Sequence, residues 1–437
     1  MTPRMDDRQY IHGIRQNLAQ FCHYMIQVFL VGMTIGMMRS VVPALSESEF
    51  GVPKGSFMLL TTFVVAFGIV KGVLNFVAGR LSERLGRQKV LLLGWLSAVP
   101  IPFMILYAPT WNWIVAATLL LGVNQGFAWS MTQASKLDLT GPNQRGFTMG
   151  LNEFSGYLGV AVASVATGYI AIAFGARVGL FVFGLVVILS ALVLSLLWIK
   201  DTLPWAKAES TRHANGQRLG PLPRYPKNIS MSPTTWEVFA LMTWRDKRMA
   251  MLCQAGLVEK FVDALVWVFY PLFLYNHGLN LASIGWVVGI YGLVWGCSQL
   301  FTGKLSDHVG RHKPIVWGMW MCGGGVGLML LGEGLVWWSF AAAVTGLGMA
   351  LLYPNLSAAV SDISQPNWRG SALGIYRFWR DLGYAIGALS LGLAANLSGH
   401  IEPAFWVVAI AMFLSGLLVH IWSEETHPGL NPADWDA

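Results

Sequence analysis

Long apolar stretches alternate with short polar clusters along the whole chain. The clusters are rich in Gly, Pro and charged residues, and each apolar stretch is long enough for one membrane-spanning helix, which needs about 20 residues. The pattern predicts helices near 21–45, 56–79, 90–109, 113–136, 147–171 and 178–199, and a second set near 249–275, 282–303, 314–332, 336–358, 370–394 and 403–422. It therefore predicts an all-α membrane protein with twelve transmembrane helices.

A polar, Pro-containing stretch separates the two sets of helices. It covers residues 200–248 and includes Leu219-Gly-Pro-Leu-Pro-Arg-Tyr-Pro226, a composition typical of a linker. We expect an N-terminal six-helix bundle over 1–199, a cytoplasmic interdomain linker over 200–248, and a C-terminal six-helix bundle with a short cytoplasmic tail over 249–437. The end of the linker, from Thr235 to Trp244, has the pattern of a short amphipathic helix that lies along the membrane.

Composition excludes a soluble or disordered protein. Of the 437 residues, 55% are hydrophobic and 12% are charged, whereas a soluble domain carries about 25% charged residues. The four cysteines lie far apart in apolar stretches without a CxxC pair, which predicts small buried side chains and no disulfide or metal role.

The basic residues predict the orientation of the chain. With both termini in the cytoplasm, most of the 29 Lys and Arg residues fall in cytoplasmic segments, and the outer loops hold Lys54 and Arg177. This is the positive-inside distribution of a multi-pass bacterial inner-membrane protein. The pI near 9.2 is therefore explained by topology, and no nucleic-acid partner is expected.

The two sets of helices are repeats of each other. The segment from Gly79 to Lys89 matches the segment from Gly303 to Lys313, and the same offset aligns residues 138–146 with residues 362–370 without a gap. Because each unit has an even number of helices, both units enter the membrane in the same direction, so they are parallel repeats.

The doubled loop resembles the motif G-x-L-(a)-D-(R/K)-x-G-R-(R/K) between the second and third helices of the major facilitator superfamily (MFS). The positions that match are Gly79, Glu83, Arg84, Gly86, Arg87, Gly303, Asp307, Gly310 and Arg311. The resemblance implies the MFS fold and an acidic residue in each loop that faces the start of a helix from the other half, where the helix dipole stabilises it. In the first copy this residue is Glu83, which is longer by one methylene. The alternative is that these loops are tight basic turns that only hold the topology.

Ionisable residues inside predicted helices are the candidates for substrate binding and coupling. Each costs a few kcal/mol in a bilayer, so such residues face a bundle interior or an aqueous cavity. They are Arg39, Lys71, Glu153, Glu259, Lys260, Asp263, Arg377, Arg380 and Asp381. Asn124 joins them, because it stands where many drug–proton antiporters of the superfamily carry an arginine. Trp129, Tyr157, Trp295, Tyr353, Tyr376 and Trp379 are candidate aromatic residues of the same cavity.

Spacing leaves the roles of these charges open. Arg377 and Asp381 are four residues apart, and Lys260 and Asp263 are three apart, so each pair can neutralise itself along one helix face. The alternatives are coupling, gating or direct substrate contact. Glu153 has no basic neighbour on its own helix, so it either carries a coupling proton or forms a salt bridge with Lys71 on another helix.

The expected function is secondary transport by alternating access between the two halves, coupled to an ion or proton gradient. The sequence has no G-x-x-x-x-G-K-[ST] phosphate loop for ATP hydrolysis. We expect a small-molecule or ion substrate, a monomer in the lipid bilayer, no cofactor and no enzymatic activity. A receptor with a transporter fold has the same sequence pattern.

A narrower resemblance concerns the substrate. The segments Phe67–Asn75, Asn124–Gly126, Gly150–Glu153 and Val258–Pro271 resemble MFS proteins of bacterial magnetosome membranes. The resemblance implies iron transport and makes Glu153, Glu259, Asp263 and Asp381 candidate oxygen ligands of the metal. The alternative is an efflux carrier for an organic solute or drug.

Overall fold

The fold is entirely helical in the part of the chain that a computed structural model describes. The described residues are 10–140, 145–214, 226, 233–364, 368–427 and 429–431, and they contain helices, turns and bends but no β-strand. The predicted all-α class is therefore confirmed for these residues.

Six long helices make up the first part of the chain, close to the predicted ranges. They are α1 (Leu18–Arg39), α2 (Phe57–Leu85), α3 (Arg87–Ala98, continued by Pro100–Leu106), α4 (Trp111–Asn124, a π-helical turn over Gln125–Trp129, then Ser130–Leu139), α5 (Arg145–Phe174) and α6 (Ala176–Leu197). The first predicted helix breaks at Ser40, and a four-residue helix that contains Pro43 follows the break.

Six long helices also make up the last part. They are α7 (Lys247–Asn276), α8 (Leu281–Val309), α9 (His312–Leu328), α10 (Leu335–Asp362), α11 (Arg369–Ser398) and α12 (Glu402–Trp422). Between α6 and α7 lie the helix Leu203–Ala214 and the short helix Thr235–Ala240, which a π-helical turn over Leu241–Arg245 extends. The short helix lies where the amphipathic pattern predicts it.

Nine helices of the described part are long and apolar enough to cross a membrane: α1 to α6, α8, α10 and α12. The other three long helices, α7, α9 and α11, are not among these apolar spans, for two reasons. α9 has 17 residues, whereas α7 and α11 carry the buried charges predicted from sequence. Length and composition therefore support a multi-pass membrane protein with nine apolar spans.

α5 and α8 pack more closely at one end than at the other. A methyl group on Gly168 would lie 2.5 Å from the Leu281 carbonyl oxygen, whereas one on Gly150 would lie 3.6 Å from the Gln299 carbonyl oxygen. The end with the close approach is the end remote from the α8–α9 loop. The contact loosens towards that loop.

α2 and α11 show the same gradient. A methyl group on Gly68 would lie 2.7 Å from the Ala385 backbone nitrogen, whereas one on Gly374 would lie 3.9 Å from the Phe76 ring. Small residues thus let the backbones meet at the end remote from the α2–α3 and α8–α9 loops. The conformation is closed at that end and looser at the loop end.

Candidate functional site

A cavity lies among α1, α2, α4, α5, α10 and α11. Its charged lining consists of Arg39, Lys71, Glu153, Arg377, Arg380 and Asp381, and its aromatic lining consists of Trp129, Tyr157, Tyr353 and Tyr384. The free space open to water is about 30 Å³. Six of the predicted site residues therefore meet at one place, in a conformation that is nearly closed around it.

Asp263 of α7 is the most heavily bonded carboxylate of the site. Its Oδ1 lies 3.2 Å from Arg39 Nη2, and its Oδ2 lies 2.5 Å from Lys260 Nζ. Tyr291 and Tyr384 donate hydroxyl hydrogen bonds to the same carboxylate at 3.0 and 2.8 Å. The predicted pairing of Lys260 with Asp263 is confirmed, and Arg39 of α1 joins that pair. Because a buried charge is costly without partners, this set fixes α1 against α7.

Glu259 holds Arg380 in a bidentate pair. Arg380 Nε and Nη2 donate to the two carboxylate oxygens at 2.9 and 2.8 Å, and the guanidinium lies 4.0 Å above the Tyr353 ring centroid. Lys260 Nζ lies 3.8 Å from the same carboxylate. The two parallel hydrogen bonds fix the plane of the Arg380 guanidinium in the cavity wall.

Lys71 and Asp381 connect α2 with α11. Lys71 Nζ lies 3.2 Å from Asp381 Oδ1, and Asn75 donates a hydrogen bond to the other carboxylate oxygen. Ser130 in turn donates to Asn75 Oδ1 at 2.8 Å. Two pairings considered from the sequence, Arg377 with Asp381 and Lys71 with Glu153, are therefore not formed. Lys71 and Asp381 pair with each other instead.

Glu153 and Arg377 face the cavity with neutral partners. Glu153 Oε1 accepts hydrogen bonds from Trp129 Nε1 at 3.2 Å and from Asn152 Nδ2 at 2.8 Å. Arg377 donates to Gln133 Oε1. Among the described residues, neither charge has an oppositely charged group within 4.0 Å.

Asn124 lies outside the cavity. Its side chain donates to the Gly94 carbonyl oxygen at 3.0 Å and accepts hydrogen bonds from Gln125 at 3.1 Å and Thr34 at 3.4 Å. It connects α1, α3 and α4 beside the π-helical turn. The structure therefore gives Asn124 a packing role and separates it from the other candidates.

The candidate metal ligands do not form a metal site in the part of the chain that the structure describes. No group of three or more His, Cys, Asp or Glu side chains there is placed to hold a metal ion. Glu259, Asp263 and Asp381 each accept bonds from a basic side chain instead. Lone pairs that the protein already uses are poor candidates for metal coordination.

The two motif loops form the same network twice. Gly86 and Gly310 adopt φ values of 92° and 88°, which favour glycine because it has no Cβ. Arg87 Nε lies 3.1 Å from Asp138, and the Arg87 amide donates to Asp201 at 3.0 Å.

In the second copy, Arg311 takes the place of Arg87. Arg311 Nε lies 3.3 Å from Asp362, and its amide donates to Glu425 at 2.8 Å. The side chains of Glu83 and Asp307 lie outside the described residues, so their predicted contact with the opposite half stays a prediction. The contacts of Asp201 and Glu425 with these loops were not predicted from the sequence. The repeat offset relates the two residues and could have identified them.

The neutral polar residues of the cavity were also missed from sequence. Asn75 and Gln133 bond directly to its charges and Tyr384 bonds to the adjacent Asp263, but a search for charged residues passes over them. Of the candidate aromatic residues, Trp129, Tyr157 and Tyr353 line the cavity. Trp295 stacks on Tyr157 with ring centroids 3.7 Å apart.

Comparison with known proteins shows the family. The sequence profile of the Major Facilitator Superfamily matches residues 24–258 and 252–436, so the chain belongs to this superfamily of transporters. An uncharacterized MFS-type transporter, STM4428, of Salmonella typhimurium is 22% identical over 416 residues, which cover 90% of this chain and 94% of the relative.

Two relatives whose names state a substrate or an activity match part of the chain. The 3-(3-hydroxy-phenyl)propionate transporter of Escherichia coli is 28% identical over 194 residues, 43% of this chain and 42% of the relative. The multidrug resistance protein MdtH of Yersinia enterocolitica is 31% identical over 154 residues, 32% of this chain and 38% of the relative. The comparisons bear out the MFS resemblance and support secondary transport, and they give no support to a magnetosome relationship.

Proposed function

We propose that the protein is a secondary transporter of a small organic anion that binds in the cavity between the two repeats and crosses by alternating access. The proposal rests on arginines of the cavity that have N–H groups without a charged acceptor. Among the described residues, Arg39 Nε and Nη1 are buried without a hydrogen-bond partner, and Arg377 bonds only to the neutral Gln133.

An anion is the ligand that suits these donors. A buried donor without an acceptor costs about 1–3 kcal/mol, and a carboxylate accepts from an arginine fork more strongly than a neutral group does. Aromatic rings of Trp129, Tyr157 and Tyr353 beside the arginines offer contacts for an apolar or aromatic body. The similarity to a transporter named for a phenyl-substituted propionate supports the same substrate class.

The proposed topology has twelve spans with both termini in the cytoplasm, and two six-helix bundles over 1–199 and 249–437 joined by the linker 200–248. α7, α9 and α11 are the three spans that this topology adds to the nine apolar ones. The charges of α7 and α11 that make them less apolar are paired within the protein, as Glu259 with Arg380 and Lys71 with Asp381. Pairing lowers the cost of placing them in a bilayer.

The proposed gating contacts are the ion pairs between the halves. Arg39–Asp263 connects α1 with α7, and Lys71–Asp381 connects α2 with α11. The free space of about 30 Å³ is too small for an organic anion, so these pairs must move apart before the substrate enters or leaves. Rocking of the two repeats supplies this movement.

Glu153 is the proposed proton carrier. It lines the cavity, it is 2% exposed, and no basic side chain lies within 4.0 Å of it among the described residues. Carboxyl groups that face a cavity inside a membrane protein are typical members of proton relays. A proton that travels with an anion also makes the transported pair neutral.

Iron is not part of this proposal, because three of the four candidate ligands are neutralised by basic side chains. Export of a drug is the competing function, and the partial similarity to MdtH favours it. A thermal-shift panel on the detergent-purified protein separates the three, with phenylpropionates, cationic drugs and ferrous iron as ligands. A ligand at a hundred times its Kd stabilises the folded protein by about 2.7 kcal/mol.

Stabilisation by the phenylpropionates that is weakened in Arg377→Gln supports the anion proposal. Stabilisation by cationic drugs alone, or by ferrous iron alone, overturns it. Arg177→Gln is the matched control, because this arginine lies outside the cavity beside Glu49.

A further inference from the structure

The segment that precedes α7 presents an exposed aromatic cluster, which consists of Trp236, Phe239 and Trp244. Trp236 is 66% exposed and Trp244 is 55% exposed. The ring centroids of Trp236 and Phe239 are 5.4 Å apart, and Trp244 lies 6.0 Å from each of them. Tryptophan side chains that are packed together but still exposed are typical of the membrane–water interface.

The shape of this segment is fixed by local hydrogen bonds. The Thr234 hydroxyl accepts from the Glu237 amide at 3.2 Å, and the Glu237 carboxylate accepts from the Thr234 amide at 2.7 Å, which is a capping box. The bonds from Thr234 lower the pKa of Glu237, so the charged carboxylate and the capping box stabilise each other. The aromatic cluster is therefore held in place before any partner binds.

Two cations lie next to the cluster. Arg245 and Lys247 are exposed, and neither has an ion-pair partner within 4.0 Å among the described residues. The adjacent Arg248 differs, because it pairs with Asp246 and Glu424. Arg245 also helps to lower the pKa of Glu237, but in the described part of the chain neither cation is held in an ion pair, so both remain available to an anionic partner beside exposed tryptophans.

We propose that the aromatic cluster, together with Arg245 and Lys247, is a binding site for an anionic phospholipid of the leaflet on the linker side. The tryptophan rings lie at the boundary between headgroups and acyl chains, and the two cations bind the phosphate group. The segment continues directly into α7, which the proposed topology places in the membrane, so the cluster lies at the edge of the bilayer. Anionic lipids attract cations that lie close to the membrane surface.

The site is connected to α11, the helix that carries two of the cavity arginines, Arg377 and Arg380. Phe239 stacks on Trp379 of α11 with centroids 5.9 Å apart, and Trp379 Nε1 donates to Thr243 Oγ1 at 3.1 Å. Trp379 lies between Arg377 and Arg380 in the sequence of α11. A bound lipid therefore stabilises the position of α11 and with it one wall of the cavity.

The test uses the purified full-length protein in nanodiscs of phosphatidylcholine alone and of phosphatidylcholine mixed with phosphatidylglycerol. The measurement is the melting temperature, so it does not depend on the identity of the substrate or on the proposed function. We expect a higher melting temperature with phosphatidylglycerol, and we expect Arg245→Gln/Lys247→Gln to lose most of the difference. Trp236→Ala/Trp244→Ala should lose it as well.

Trp406→Ala on α12 is the matched control, since Trp406 is 47% exposed and distant in sequence from the cluster. It should keep the lipid dependence. The proposal is overturned if the wild type melts at the same temperature in both nanodiscs. It is also overturned if the Arg245/Lys247 variant keeps the full difference, or if the Trp406 control loses as much as the cluster variants do.

Discussion

Arg39 and Asp263 occupy equivalent positions in the two repeats, and their side chains meet at 3.2 Å. The offset that takes Gly79 to Gly303 takes Arg39 to Asp263. Two equivalent side chains can touch only where the two repeats face each other across their common axis, so this pair marks the axis at the level of the cavity. The repeats carry opposite charges there, which turns a symmetric contact into an attractive one.

A second pair of contacts shows where the symmetry is broken. The same offset relates Lys71 to Trp295 and Tyr157 to Asp381. On one side of the axis the residues form the Lys71–Asp381 ion pair, and on the other side Tyr157 stacks on Trp295. One interface between the repeats therefore responds to charge and the other does not.

Asp263→Asn should strongly destabilise the protein. The substitution leaves the buried Arg39 without its carboxylate and leaves Lys260 only the more distant Glu259 at 3.8 Å, and a broken buried ion pair costs about 3–5 kcal/mol. Thermal unfolding in one detergent measures the effect. Asp246→Asn, near the surface at the start of α7, should have a much smaller effect, and equal losses would contradict the structural role of Asp263.

Lys71 and Asp381 should be energetically coupled. Lys71→Gln and Asp381→Asn each remove one partner of the same contact, so the double variant should lose less stability than the sum of the single variants. Residues in direct contact typically show coupling of about 0.5–3 kcal/mol. A double-mutant cycle on the free energy of unfolding measures it, and additive losses would show that the ion pair is not formed.

Glu153→Gln should remove the dependence of transport on a proton gradient while the protein stays folded. The amide keeps the size of the side chain and its hydrogen bonds to Trp129 and Asn152, but it cannot bind a proton at neutral pH. Flux in proteoliposomes with and without a pH gradient is the measurement. Glu333→Gln, in an exposed loop, is the control, and an unchanged pH response of the Glu153 variant would exclude it as the proton carrier.

Gly168→Ala should separate α5 from α8 at the closed end of the protein. The new methyl group would lie 2.5 Å from the Leu281 carbonyl oxygen, whereas the methyl group of the control Gly150→Ala would lie at an ordinary 3.6 Å from Gln299. Hydrogen–deuterium exchange at the start of α8 should rise in the first variant and stay unchanged in the second. Equal exchange in both would contradict the packing gradient along these helices.

The sequence predicted the parts of this protein that depend on local pattern. Helix positions, the repeat and the Lys260–Asp263 pair all follow from periodicity or from spacing along one helix. The partners of Asp381 and Arg377, and the contact of Glu153 with Trp129, did not follow, because these partners lie on other helices. Arg377 and Asp381 share one helix, but Arg377 points to Gln133 of α4 and Asp381 points to Lys71 of α2. Only the packing of α2 and α4 against α11 decides between these partners.

Asn124 and the candidate metal ligands show the same limit. A polar residue in a membrane helix indicates a functional role only if it faces a cavity. Asn124 instead donates its side-chain hydrogen bond to the Gly94 carbonyl oxygen. The resemblance to magnetosome proteins suggested four carboxylates as metal ligands, but three of them, Asp381, Asp263 and Glu259, accept bonds from Lys71, Lys260 and Arg380. The sequence shows which charges are buried, whereas the fold shows which of them are already neutralised.

The most direct test of the proposed function is uptake of a labelled phenylpropionate into proteoliposomes, driven by a proton gradient, by the wild type and by Arg377→Gln. Loss of a hydrogen bond to a charged group is worth about 1.5–3 kcal/mol, so KM should rise roughly 10- to 150-fold in the variant. The amide of the same compound, which lacks the charge, should be transported poorly by both proteins. Equal uptake of acid and amide by the wild type, or an unchanged KM in Arg377→Gln, would contradict the recognition of an organic anion by this cavity.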